Sequence, residues 1–202
     1  MADINSESKS ITPVERFEQN CEAADTLDQN RIFTLIELLY FAYRDFTSDC
    51  DDILEAINFG RAHHRVIHFV NRYPGLRVAD LLEILKITKQ SLARVLKQLI
   101  DEDYIYQQAG KKDRRERHLF VTEKGNTLAT KLAAPQIEHM RRAITSIECD
   151  DSELIEDFLY SLIQQSSRHD VITLIAENTP SLLKSLGPSK KSTTQQDQNN
   201  HE

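Results

Sequence analysis

Residues 111–125 read KKDRRERHLFVTEKG. Five of the first seven are Lys or Arg, yet the whole 202-residue chain carries a net charge of −7. The stretch parses into pieces. AGKKDRRE, residues 109–116, has the composition of a turn-rich loop. RHLFVT, residues 117–122, puts Leu119 and Val121 on one face, as a strand does. Thr122 then stands where a helix cap belongs, ahead of TEKGNTLATKLA. Upstream, YIYQQ at 104–108 reads as a second strand, so the basic loop is the tip of a β-hairpin.

Just before the hairpin lies TKQSLARVLKQLIDED, with Thr88 as a good N-cap. Leu92, Val95, Leu96, Leu99 and Ile100 follow the helical period and form one inward stripe. Gln90, Ser91, Arg94, Lys97, Gln98 and Asp101 fall on the other face. That face is basic at its start and acidic at its end, the reverse of what the helix dipole favours. The reversal suits a polyanion near the N-terminal half. Further upstream, LRVADLLEILK opens with a very short strand (Leu76 and Val78). A short helix follows, with Leu81, Leu82 and Leu85 inward. A helix at 61–73 precedes it, with Ala62, Val66, Ile67 and Val70 inward, and Pro74-Gly75 ends that helix. Residues 76–122 therefore read as a winged helix-turn-helix. Such a helix fits a major groove, and a basic hairpin tip reaches a backbone or minor groove.

Charge distribution agrees. Residues 86–117 hold nine Lys/Arg against five Asp/Glu, a local charge of +4 that leaves −11 for the remainder. A whole-chain balance hides such a footprint. Lys111, Lys112 and Arg114 are suited to phosphate, and so is Lys97, further along the helix; these contacts bring salt-dependent affinity rather than sequence choice. Gln90 and Arg94 have the geometry for bidentate contacts to adenine and guanine, with phosphate contact as the open alternative.

The two segments D113-R-R-E-R-H-L-F-V-T-E-K-G125 and P74-G-L-R-V-A-D-L-L-E-I-L-K-I-T-K-Q-S-L-A-R-V-L-K-Q-L resemble the wing and helix-turn-helix of the multiple-antibiotic-resistance regulator (MarR) family of bacterial transcription factors. The resemblance covers about residues 30–175. It implies a mostly α fold with a small β-hairpin wing, and a homodimer whose first and last helices interlock. It further implies a regulator that reads a palindromic site in double-stranded DNA; a repressor is the expectation, with an activator as the open alternative. Thr88, Lys89, Gln90, Ser91 and Arg94 fall where the family's recognition helix meets the major groove. Arg115 falls at the wing arginine of the minor groove, and Asp113 would pair with it. Asp103 stands where the family often has glycine, in a left-handed position less comfortable for a side chain. The family also often binds small, frequently aromatic, ligands between dimerisation helices and winged domain; Phe41, Arg44, His64 and Arg65 are the candidates here for such an effector.

The remaining features set boundaries. Residues 1–14 and 187–202 are polar enough to be disordered tails, leaving one domain at 15–186. Its winged helix spans about 60–122, and its dimerisation helices about 15–58 and 123–186. The first of these starts near Asn30, with Asp28 or Asn30 as cap and Ile32, Leu35, Ile36, Leu39 and Phe46 in its apolar stripe. Asp51–Leu54 extends it or begins a short second piece. The last third reads as two long helices, one carrying Pro135, the other carrying Leu154, Ile155, Phe158, Leu159, Leu162 and Ile163. That second stripe is wider than one neighbour needs and suits a second chain.

No apolar run approaches the roughly 20 residues of a membrane span, and the N-terminus lacks a signal's apolar segment. Three widely spaced cysteines without a CxxC fit a reduced, cytoplasmic protein. No HExxH, nucleophile elbow or phosphate loop marks an enzyme or calls for a cofactor. The histidines at 63–68 suggest a metal enzyme only weakly: His64 and His68 share a face but lack local acidic or thiol ligands. Cys21 offers a redox-responsive alternative, although its acidic neighbours Glu18, Glu22 and Asp25 would raise its pKa and slow it. Cys50, between Asp49 and Asp51, is read the same way.

Overall fold

The computed structural model describes residues 28–110, 113–147, 152–176 and 178. Among them the order is α1 (Gln29–Ser48), α2 (Asp51–Glu55), α3 (Arg61–Arg72), β1 (Leu76–Arg77), α4 (Val78–Leu85), α5 (Lys89–Asp101), β2 (Ile105–Ala109), β3 (Arg117–Val121), α6 (Glu123–Ser146), α7 (Ser152–Ser161) and α8 (Gln165–Ala176). The three strands form one antiparallel sheet in the order β1-β3-β2. The chain divides into two compact units. One is Gln29–Asp150, and α7 and α8 belong to the other.

Local chemistry sets the element ends. At the end of α3 the chain turns through Gly75, whose φ of +89° lies in the left-handed region that only glycine enters freely. The turn delivers Leu76 opposite Leu119 and Arg77 opposite His118. Thr88 caps α5 by accepting the Ser91 N–H at 3.1 Å, and Thr122 caps α6 by accepting the Gly125 N–H at 3.0 Å. Asp103, at φ 60°, takes the left-handed position that closes α5, and the Tyr104 N–H returns to the Leu99 carbonyl at 2.8 Å. Gly125 allows α6 to start against the hairpin, because a Cβ there would lie 2.0 Å from the Tyr104 carbonyl oxygen.

One core joins the pieces of the larger unit. Val66, Ile67 and Val70 of α3, Leu81 and Leu85 of α4, and Leu92, Val95, Leu96 and Leu99 of α5 pack with Ile105, Leu119 and Leu132. Each fully buried Leu or Ile contributes about 1.5–3 kcal/mol relative to exposure. The β2–β3 register, Ile105 opposite Val121 through Ala109 opposite Arg117, turns Leu119 into this core and leaves Gly110 and residues 113–116 past the last strand pair.

Several expectations need correction. Ala62 is exposed, because Val66, Ile67 and Val70 already define the inward face of α3. Val78 begins α4 rather than continuing β1, whose pairing with β3 stops at Arg77. Gln98 does not face outward with Arg94: it is half-buried, tied to the His63 ring at 2.9 Å and to Glu102 at 3.0 Å. The last third is α6 followed by two shorter helices. Arg168 satisfies the carbonyls of Ile163 at 2.9 Å and Ser161 at 2.6 Å, which closes the gap between α7 and α8. Helix α1, expected as a dimerisation helix rather than part of this core, overturns no expectation. None of its twenty residues is buried, and Ile32, Leu35, Ile36, Leu39, Tyr40 and Phe41 all lie open.

Candidate nucleic-acid interface

The exposed face of α5 follows from its buried one. With Leu92, Val95, Leu96 and Leu99 inward, the 3.6-residue period leaves Lys89, Gln90, Ser91, Arg94 and Lys97 outward. Thr88 and Ser91 are engaged with each other, their side-chain oxygens 2.8 Å apart. Lys97 is ion-paired with Asp101 one turn on. Among the described residues, the side chains of Lys89, Gln90 and Arg94 make no hydrogen bond or ion pair. The first two turns of α5 thus present one amide and two cations to solvent.

Across a groove of about 730 Å³ stands the hairpin tip. Its floor is Val78, Ala79, Ala93, Leu96 and Ile100, and its charged walls include Arg77, Lys97, Arg115 and Arg117. The tip is wound by its own bonds. Asp113 Oδ1 accepts the Arg115 N–H at 2.8 Å, and the Asp113 carbonyl accepts the Glu116 N–H at 3.1 Å. Gly110 N–H closes the loop on the Glu116 carbonyl at 3.1 Å, and a Cβ on Gly110 would lie 2.5 Å from the Asp113 carbonyl oxygen. Arg117 donates to the Arg114 carbonyl at 2.5 Å. Asp113 therefore meets Arg115 through its backbone N–H rather than by an ion pair. Among the described residues the Arg115 guanidinium has no hydrogen-bond partner. Arg114 is exposed beside it. Lys111, Lys112 and Cys21 lie outside the described residues.

Sequence reading missed a further set. Arg77 donates to both oxygens of Asp80, at 2.8 and 2.5 Å, and to Glu116 Oε1 at 3.2 Å. These carboxylates raise the Arg77 pKa and keep it charged, Asp80 most strongly. The Asp80 spacing is legible as an i,i+3 pair, but nothing in the sequence joins residues 77 and 116.

The four effector candidates do not line this groove. Arg44 stacks over the Phe41 ring at 4.9 Å and pairs with Asp45 at 2.7 Å on the open surface of α1. Arg65 donates to the Leu85 carbonyl at 3.0 Å, capping the end of α4. His64 is buried on α3; burial first, then neighbouring His68, lowers its pKa, while Asp51 opposes them. The neighbouring His63 takes the Gly60 N–H on Nδ1 at 3.1 Å, so Nε2 carries the hydrogen and donates to Gln98. Among the described residues no three His, Cys, Asp or Glu side chains are placed to hold a metal. Cys50 is fully buried, its thiol 3.1 Å from the Leu132 carbonyl, and its pKa is pushed up to about 11 by burial and then by Asp49 and Asp51. No described helix is long and apolar enough to cross a membrane.

A three-stranded sheet over α3–α5, a capped polar helix and a basic hairpin tip together define a winged helix-turn-helix. The MarR family model matches residues 57–116. Over those residues the winged helix is similar to the MarR family. Over 108 residues the chain is 53% identical to PetP, an HTH-type transcriptional regulator of Rhodobacter capsulatus. That alignment spans 54% of this chain and 65% of PetP, less than two thirds of the relative's length. Among solved structures, a crystal structure of MarR superposes with a TM-score of 0.56 at 20% identity, covering 68% of this chain and 93% of that one. The S. aureus MepR–DNA complex superposes with a TM-score of 0.50 at 16% identity, covering 67% and 96%. At these identities the structural likeness shows the fold alone.

Proposed function

We propose that this protein is a homodimeric, sequence-specific DNA-binding transcriptional regulator, acting as a repressor by occupying a palindromic operator. The observation that carries this reading is the pairing of two unsatisfied basic surfaces. Gln90 and Arg94 on the exposed face of α5, and Arg115 on the wing, are both turned to solvent without internal partners among the described residues. In the reading, α5 enters the major groove while Arg115 reaches the adjacent minor groove. Lys89, Arg114, Lys111 and Lys112 contact phosphate. Lys97 is a weaker phosphate contact than its position implies, because Asp101 offsets its charge. PetP is named a transcriptional regulator and MepR was crystallised with DNA, which supports extending this role to the present chain.

The apolar surface of α1 supports the dimer. Leu35, Ile36, Leu38 and Leu39 are exposed together, and so are Ile137, Met140 and Ile144 toward the end of α6. On α7, Leu154, Phe158, Leu159 and Leu162 are exposed as well. Exposed apolar faces on these helices, each taken by itself, suit an interface, and a second copy supplies a self-complementary one. A small-molecule effector near Phe41, Arg44, His64 and Arg65 would act by favouring one spacing of the two recognition helices.

Selection of bound duplexes from a random pool by the full-length protein tests the reading. A palindrome with half-sites roughly one helical turn apart is expected. Recovery of no enriched sequence would remove it.

A further inference from the structure

We infer that Arg77 and Glu116 form a clamp that positions the wing arginine, Arg115, for DNA. The inference rests on the proposed DNA contact of the wing. The starting point is mechanical. Bonds among Gly110, Asp113, Arg114, Arg115, Glu116 and Arg117 set the internal geometry of the described part of the tip, but they do not fix it to the rest of the protein. Strand β1 supports β3 only at Leu119 and His118, through Leu76 and Arg77. Gly110 and residues 113–116 lie past that support. Among the described residues, one side-chain bond crosses from this tip to the body outside the hairpin, Arg77 to Glu116 at 3.2 Å.

Arg77 is itself held firmly. It occupies the N-cap position of α4, and its guanidinium is gripped by both carboxylate oxygens of Asp80. On the wing side, Glu116 Oε2 lies 3.5 Å from His118 Nε2, and the other ring nitrogen of His118 is 2.8 Å from the Gly75 carbonyl. Glu116 is thus tied through Arg77 to the start of α4. Arg115 is its immediate neighbour. Bracing the Glu116 side chain limits the arc that Arg115 sweeps.

The clamp contributes little to global stability, because the Arg77 and Glu116 side chains are 48% and 38% exposed. Its effect is on the order of the reach, since a group ordered before binding loses less freedom on binding. A simple charge argument predicts the opposite consequence for Glu116. A carboxylate beside a polyanion repels it, so removing the charge should tighten binding.

Glu116→Gln therefore separates the two by sign. The probe is a duplex selected from a random pool by the full-length protein, measured by fluorescence anisotropy at fixed salt. The clamp predicts roughly three- to tenfold weaker binding for Glu116→Gln, and no weakening when Arg115→Ala is already present. Arg77→Lys keeps the charge but cannot grip Asp80 and Glu116 together, so it should weaken binding to a similar extent. In both variants the melting temperature stays near wild type, while the Gly110, Arg115 and Glu116 amides exchange hydrogen faster. If Arg115→Ala weakens binding but Glu116→Gln leaves it unchanged or tighter, the clamp is wrong and the wing contact survives. Equal weakening by Glu116→Gln with and without Arg115 also overturns it. If the full-length protein selects no duplex, the DNA-binding reading fails and the clamp falls with it.

Discussion

Helices α1 and α5 carry similar apolar stripes and meet opposite fates. In α5, Leu92, Val95, Leu96 and Leu99 are buried by α3, α4 and the sheet. In α1, twenty residues contribute no buried side chain, although Leu35, Ile36, Leu38 and Leu39 are as apolar as anything in the core. The difference lies in who supplies the opposite surface. The winged helix closes on its own chain, whereas among the described residues the apolar face of α1 is left open. Self-sufficiency in the winged helix and an open first helix are what the proposed dimeric reader of DNA would need.

The largest effect separating the two regions should come from a cavity in the winged helix. Leu119→Ala, at a fully buried position, is expected to cost about 2–5 kcal/mol. Denaturant titration checks this, and the loss should not depend on protein concentration. Leu35→Glu with Leu39→Glu should behave in the reverse manner. We expect dimer dissociation to strengthen by roughly 30-fold or more, read by sedimentation, while the winged helix keeps its hydrogen-exchange protection. Unfolding of the winged helix in that variant would erase the contrast.

A smaller effect concerns His64. Burial holds its folded pKa below the unfolded value, so the folded state favours the neutral ring. Its contribution to stability is present above the ordinary histidine value of about 6.5 and is lost as pH falls through the folded pKa. His64→Gln should flatten the fall of melting temperature between about pH 7 and pH 5. Smallest is the reactivity of Cys50. With a pKa near 11 and full burial, its thiol should resist a disulfide reagent in the native protein and react once unfolded. A Cys21→Ser, Cys149→Ser background isolates it.

Much of the fold was legible in the sequence because its signals are local. Thr88 and Thr122 announce their caps, the stripe from Leu92 to Leu99 states the helical period, and Asp103 occupies the expected left-handed position. The break between α7 and α8 was hidden, because the apolar period runs on through Leu162 and Ile163 while Arg168, further along, satisfies the free carbonyls. Periodicity also identified an apolar face on α1 without saying what would cover it. At the site, the outward residues of α5 and the hairpin tip followed from period and turn chemistry. The contact between Arg77 and Glu116 did not, because a 39-residue separation becomes a hydrogen bond only once β1 has paired with β3.

The central claim is that α5 and the wing read DNA together. The most direct measurement is the affinity of the full-length protein for its selected duplex across a salt series, for wild type, Arg94→Ala and Arg115→Ala. Wild-type affinity should fall steeply with salt. Arg94→Ala should lose roughly 1–3 kcal/mol and relax preference at one base position in each half-site. Arg115→Ala should weaken binding and lower the salt slope. Affinity, salt slope and base preference unchanged in both variants would contradict the account.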